Sequence, residues 1–195
     1  MSPWIVFGNI IFALVAFVYA MVANSFLEWF VHGEIMHRGW GNRWTNYLEA
    51  NHPAHHRDFP PHNSKNPNHS WRKVHLPLWA FPLTVSLTVL PASFISYLSS
   101  HGIFLWTVLI TSSVYYWVYQ YMHTRDHVPR KRWFENRESF IFLDIFHAIH
   151  HTFDENDQEQ WRNPVNLCIV FPLADFLMGT AVIPPKYFSP YFKRR

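Results

Sequence analysis

The chain has 195 residues, a formal net charge of +3 and a single cysteine. That length suits one domain, 1–195, and a lone Cys168 excludes an internal disulfide, a cysteine-ligated iron–sulfur cluster and a structural zinc–thiolate site. The 16 Lys and Arg form no nucleic-acid-binding motif, so no nucleic-acid partner is expected and the mild positive charge suits a membrane surface better.

Charge is sharply segregated along the chain. Every Lys, Arg, Asp and Glu falls in Glu28 to Lys73 or Arg125 to Arg195, while 1–27 and 74–124 hold none. Residues 4–27 form an uncharged apolar run long enough to cross about 30 Å of hydrocarbon as a helix. The run lacks a basic leader and a clean cleavage site, so it reads as a retained span rather than a signal peptide. The second uncharged block is too long for one helix and suits two, at 77–98 and 103–122, with Ser99-Ser100-His101-Gly102 as the turn. Pro77, Pro82 and Pro91 are expected to kink the first of them, which neighbouring helices tolerate in a bilayer.

The predicted fold class is therefore all-α: an integral-membrane protein of three transmembrane helices with a helical cap formed by 28–75 and 123–183. The hairpin returns the chain to the side it left, and all basic residues lie on that side. By the positive-inside rule the cap is cytoplasmic and the N-terminus outside, in either a bacterial inner membrane or the endoplasmic reticulum. Residues 165–183 are apolar but interrupted by Pro172 and Asp175. A fourth crossing there would carry Lys186 and Lys193-Arg194-Arg195 to the far side, against the charge rule. A re-entrant or interfacial segment is expected instead. Cys168, within that run, reads as a small apolar residue.

The 14 histidines are not scattered. His32 and His37 form an HX4H; His52, His55 and His56 an HX2HH; His123 and His127 an HX3H; His147, His150 and His151 a second HX2HH. Each group lies just past the cap-side end of a span or on a following helix, so the topology brings them to one face of the membrane. On a helix, residues three or four apart share a face, so each of the last three sets can aim its imidazoles at one place. His32 and His37, five apart, point about 140° from each other on 3.6-residue geometry. Either they serve different metals, or Gly33 helps to distort the helix.

Neutral imidazole suits iron, zinc and copper. Ten such ligands are too many for one ion and reasonable for two. Glu28, Glu34, Asp58, Asp126 and Asp144 sit near the clusters and could accept ring N–H bonds, Asp144 being the best placed, one turn before His147. His62, His69, His75 and His101 read as solvated or hydrogen-bonded residues, with His62 the extra histidine closest to the motifs. A haem protein would place axial histidines inside the spans, a zinc protease would show H-E-x-x-H rather than HGEIMH, and a metal transporter would string ligands along a transmembrane path.

In that order the four motifs resemble the fatty acid hydroxylase superfamily, which includes fatty acid 2-hydroxylases, sterol desaturases and methyl oxidases, and carotenoid hydroxylases. EWFVHGEIMH (28–37) looks like the family's first motif, and NLCIVFPLADFLMGT (166–180) resembles its closing segment, with Asn166, Asp175, Gly179 and Thr180 at the marked positions. The resemblance implies two iron ions held by His32, His37, His52, His55, His56, His123, His127, His147, His150 and His151, with no catalytic residue beyond these ligands. Zinc competes well for imidazole and is a ready substitute in purified protein. It further implies O2, a lipid drawn from the bilayer, and hydroxylation or desaturation of an unactivated carbon. The three-residue gap in HTRDH looks more like fatty acid 2-hydroxylases than carotenoid hydroxylases, which favours a fatty acyl chain over a sterol or carotenoid. There is no room for a fused cytochrome b5 domain, so a separate electron donor of cytochrome b5 or ferredoxin type, with its reductase, is expected.

Overall fold

The computed structural model describes residues 2–42, 45–60, 65, 75–99, 101–129, 132–152 and 157–183; His62 and His69 lie outside this set. Among the described residues the secondary structure is entirely helical. Helix α1 runs Pro3–Phe30 and continues without a break as a π-helix, Val31–His37. Helix α2 (Asn46–Asp58) is followed by α3 (Ala80–Ser99) and α4 (Gly102–Asp126). A 3-10 turn (Trp133–Asn136) leads into α5 (Glu138–His150), then short α6 (Gln158–Arg162) and α7 (Leu173–Met178).

Three helices are long and apolar enough to cross a membrane: Pro3–His37, Ala80–Ser99 and Gly102–Asp126. Their packing is that of a bundle in lipid. Ala16, Ala20 and Ala92 are fully buried against Phe104 and Val108, small residues that let the backbones approach. Leu14, Val18, Leu90, Phe94, Trp106 and Ile110 face outward, a surface that water would not tolerate and hydrocarbon does. Interhelical hydrogen bonds tie the spans together: the Asn24 amide donates to Ser112 Oγ at 2.9 Å, as does Thr88 Oγ1 at 2.9 Å. Tyr19 OH donates to the Thr88 carbonyl at 3.2 Å. The chain is an integral-membrane protein.

The predicted spans hold, with two differences at their cap ends. α1 and its π-helical extension project past Leu27 to His37, and α4 runs to Asp126, past the predicted end at 122. Two of the four histidine motifs thus ride on prolongations of membrane helices. Pro91 sits inside α3 without ending it, while Pro77 precedes it and Pro82 falls in its first turn, where a missing N–H costs nothing.

The segment 165–183 makes no fourth crossing. Its helix, α7, has 6 residues, far short of a span. It ends at Gly179, whose φ of +74° is the left-handed cap that glycine adopts without strain. The segment packs against the end of α1: Ser25 Oγ donates to the Phe171 carbonyl (2.6 Å), and Trp29 Nε1 to Thr180 Oγ1 (3.0 Å).

Candidate metal centre

All ten motif histidines are buried at one end of the bundle, none more than 7% exposed. The π-helix resolves the awkward five-residue step. Its i→i+5 pattern places residues five apart nearly above one another, and the His32 and His37 rings stand 5.6 Å apart, on the same side. Gly33 permits this geometry to be covered. A Cβ there would meet Leu167 Cδ1 at 2.9 Å, so the glycine leaves room for the Leu167 side chain as it lies.

The side chains sort into two groups whose ligand atoms lie within 4.8 Å of one another: His32, His37, His52 and His150, and His55, His123, His127, His147 and His151. His56 joins the first. The Nε2 atoms of His37, His52, His56 and His150 form a closed ring with edges of 2.9, 3.2, 3.1 and 3.3 Å. In the second group the edges His55–His123, His127–His147 and His147–His151 measure 3.2, 3.1 and 3.1 Å.

His123 and His127 of the HX3H fall in one group as expected, but the expectation that each HX2HH aims at one place is corrected. Each HX2HH is divided. His52 and His56, four apart on α2, serve the first group and His55 the second; on α5 and its end, His150 serves the first and His147 with His151 the second. The His56 and His151 rings stack at 4.3 Å, joining the two groups. The alternative that His32 and His37 serve different metals is set aside by the same grouping.

The donor set fits metal ions. Metal–imidazole bonds of about 2.0–2.1 Å at tetrahedral to octahedral angles imply nitrogens roughly 2.9–3.4 Å apart, which is the spacing found. His32 Nε2 is buried, belongs to the first group and has no hydrogen-bond partner among the described residues. Five imidazoles per group exceed the four of a structural zinc site.

The tautomers are set by backbone carbonyls. Nδ1–H donates to Leu167 O from His32 (2.6 Å), to Trp161 O from His37 (3.0 Å), to Val165 O from His150 (2.9 Å) and to Phe59 O from His151 (3.0 Å). A carbonyl only accepts, so Nδ1 carries the proton and Nε2 turns a lone pair inward. Burial pushes His151 down to about 3. It likewise holds His52, His55, His56, His147 and His150 well below the ordinary imidazole value, with neighbouring rings adding to the effect. The rings are neutral, as ligands must be.

Three of the five carboxylates expected to orient these rings, Asp144, Glu34 and Glu28, have other partners. Asp144 pairs with Lys65 at 2.7 Å, and His147 Nδ1 makes no hydrogen bond among the described residues. Glu34 pairs with Arg38 on the surface, and Glu28 accepts from Tyr115 OH at 2.6 Å and from the Ile169 amide. Sequence reasoning had no signal for the carbonyl partners, since every residue carries one. It also missed Trp161, whose ring covers His37 at 4.2 Å. His75 is hydrogen-bonded to Thr124 (3.2 Å), and His101 packs on Phe12 at the hairpin end.

The closing segment is a scaffold for those carbonyls. Asp175, fully buried, accepts from the amides of Leu167 (2.9 Å) and Cys168 (2.8 Å) and from Thr180 Oγ1 (2.6 Å). Asn166 adopts φ +54° and clasps Val182 through both its amide atoms and Phe146 O through its N–H. Leu167 is thereby held with its carbonyl on His32.

An apolar cavity lies between the cap ends of α1 and α4 and reaches His32. A second is lined by histidines of both groups, His32 and His52 of the first and His55 and His123 of the second. His32, Met36, Leu76 and Tyr119 border both.

A membrane-embedded helical protein with two adjoining histidine cages at one end of its spans is the class that fold and site define. The chain belongs to the fatty acid hydroxylase family, whose family model matches residues 17–180. Searches of curated proteins and of solved structures returned no match. Membership makes the chain an oxidoreductase of the membrane hydroxylase and desaturase kind.

Proposed function

We propose that the protein is an O2-dependent hydroxylase of a membrane lipid, a fatty acyl chain in preference to a sterol or carotenoid, with two iron ions as its cofactor. One observation carries the reading: an apolar cavity in the membrane bundle reaches His32 of one of two adjoining histidine cages, whose ligand atoms have the right spacing for metal. His32, His37, His52, His56 and His150 would hold one ion, and His55, His123, His127, His147 and His151 the other. Bound iron supplies the reduction of O2 and the cleavage of an unactivated C–H bond, so that lipid, O2, two electrons and two protons yield the alcohol and water.

The chain's own residues do the rest. Backbone carbonyls hold His32, His37, His150 and His151 in the tautomer that presents Nε2. The apolar walls of Leu27, Val31 and Leu76 exclude water and receive an acyl chain from the bilayer. Electrons come from a separate carrier of cytochrome b5 or ferredoxin type, and the cages face the cytoplasm. A metal transporter would need ligands along the spans, whereas the ten motif histidines gather at one end.

Lipid mass spectrometry of cells expressing wild type or His150→Ala tests this. The expected result is a lipid that gains one oxygen only with wild type; loss of two hydrogens instead would make the reaction a desaturation. Identical lipid profiles, together with no oxidation by iron-loaded protein given O2 and a reductant, would sink the reading.

A further inference from the structure

The membrane-side cavity is apolar, and most of its polar lining is already occupied. Asn24 donates to Ser112 and Ala20, Thr84 to Ala80, and Tyr116 to Pro77 while accepting from Gln120. Tyr115 and Glu28 bond to each other. Tyr119 differs. It is 8% exposed, borders both cavities and makes no hydrogen bond among the described residues. A buried phenol with no protein partner is disfavoured unless something in the space beside it accepts from it.

Its place gives that space a meaning. Tyr119 stands one turn before His123, their rings 5.7 Å apart, and shares the cavity wall with His32, so it borders a histidine of each cage. We propose that Tyr119 is the substrate-recognition residue, donating a hydrogen bond to a neutral oxygen of the lipid, an ester or amide carbonyl or a hydroxyl, that lies close to the carbon oxidised. The neutrality follows from the lining. No lysine or arginine borders either cavity among the described residues, and the Glu28 carboxyl does. In the metal-free protein a carboxylate brought there would be desolvated without a cation, at a cost a carbonyl does not incur. The oxygen that Tyr119 recognises is thus that of an ester, an amide or an alcohol.

This inference rests on the lipid reading above but is tested apart from it, on metal-free protein. Displacement of a fluorescent long-chain acyl methyl ester from protein in nanodiscs would be followed with three competitors of equal chain length: the methyl ester, the alkane and the carboxylate salt. Wild type is expected to prefer the ester to the alkane by about tenfold, as one buried hydrogen bond implies, and to bind the carboxylate more weakly than the ester. Tyr119→Phe keeps the ring and should bind alkane as before while the ester preference falls to near one. Tyr19→Phe removes a hydroxyl that is bonded to the Thr88 carbonyl and borders neither cavity, and should retain the preference. An unchanged ester preference in Tyr119→Phe, or tighter binding of the carboxylate, overturns the assignment. Binding of none of the three by wild type overturns the lipid reading itself.

Discussion

An imidazole in this site has to be neutral, correctly tautomeric and unable to turn away. Burial supplies the first, since a ring with no water around it cannot easily take a proton; it holds His151 near 3 against about 6.5 in an unfolded chain. The sign of the pH dependence follows. Between those values the unfolded chain binds protons that the folded cap does not, so the stability present above pH ~6.5 is lost as the pH falls toward 3. His151 alone contributes a loss on the order of 4 kcal/mol across that window. The other five depressed cap histidines act in the same direction. Denaturant titration of the metal-free protein from pH 8 to ~4 is expected to show a flat region above pH ~6.5 and a steep fall below it. Stability independent of pH from 7 to ~4 would show that the rings are solvated.

At the scale of elements, two segments of unusual geometry meet. The π-helix rotates His32 onto the side of His37, and the closing segment lies against it at Gly33, where its Leu167 carbonyl accepts a hydrogen bond from His32 Nδ1–H. Asp175 fixes that contact by holding the Leu167 and Cys168 amides. Asp175→Ala would strand both amides in a dry interior and is expected to cost about 2–4 kcal/mol. It should also weaken metal retention more than a surface substitution of equal destabilisation, because His32 loses its orienting carbonyl. Thermal unfolding and metal content after dialysis would report the two effects separately. Asp175→Asn, which keeps one accepting oxygen, should be milder in both. If Asp175→Ala retains wild-type melting and metal content, the closing segment has no part in holding His32.

The whole molecule is a short bundle whose cage end is built from prolonged spans. Basic residues gather at that end, which motivates the cytoplasmic placement proposed above. The single cysteine makes the test clean. Cys168 is fully buried and its thiol is pushed far up by burial, so it should not react. In inside-out bacterial membrane vesicles a membrane-impermeant maleimide is expected to label Glu159→Cys and to spare Ser2→Cys. Labelling of Ser2→Cys alone would reverse the topology.

The sequence by itself determined the spans, the all-α class and the ten histidines, because each rests on a local energy. Charges are excluded from hydrocarbon wherever the chain goes, and spacings of three and four share a helix face before any packing. The boundaries at His37 and Asp126 were not legible, since a helix end just outside the membrane is set by what caps it. Nor was the division of His52, His55 and His56 between two cages, or the matching division of His147, His150 and His151. That sorting depends on how α2 and α5 face each other across the cap, a long-range arrangement with no local signature. The five-residue step from His32 to His37 left two readings open, and the π-helix that brings both rings into one group decided between them. The partners of the ring N–H groups were hidden for the simplest reason. They are backbone carbonyls, identical at every residue, and only the folded chain selects Leu167, Trp161, Val165 and Phe59 to present them.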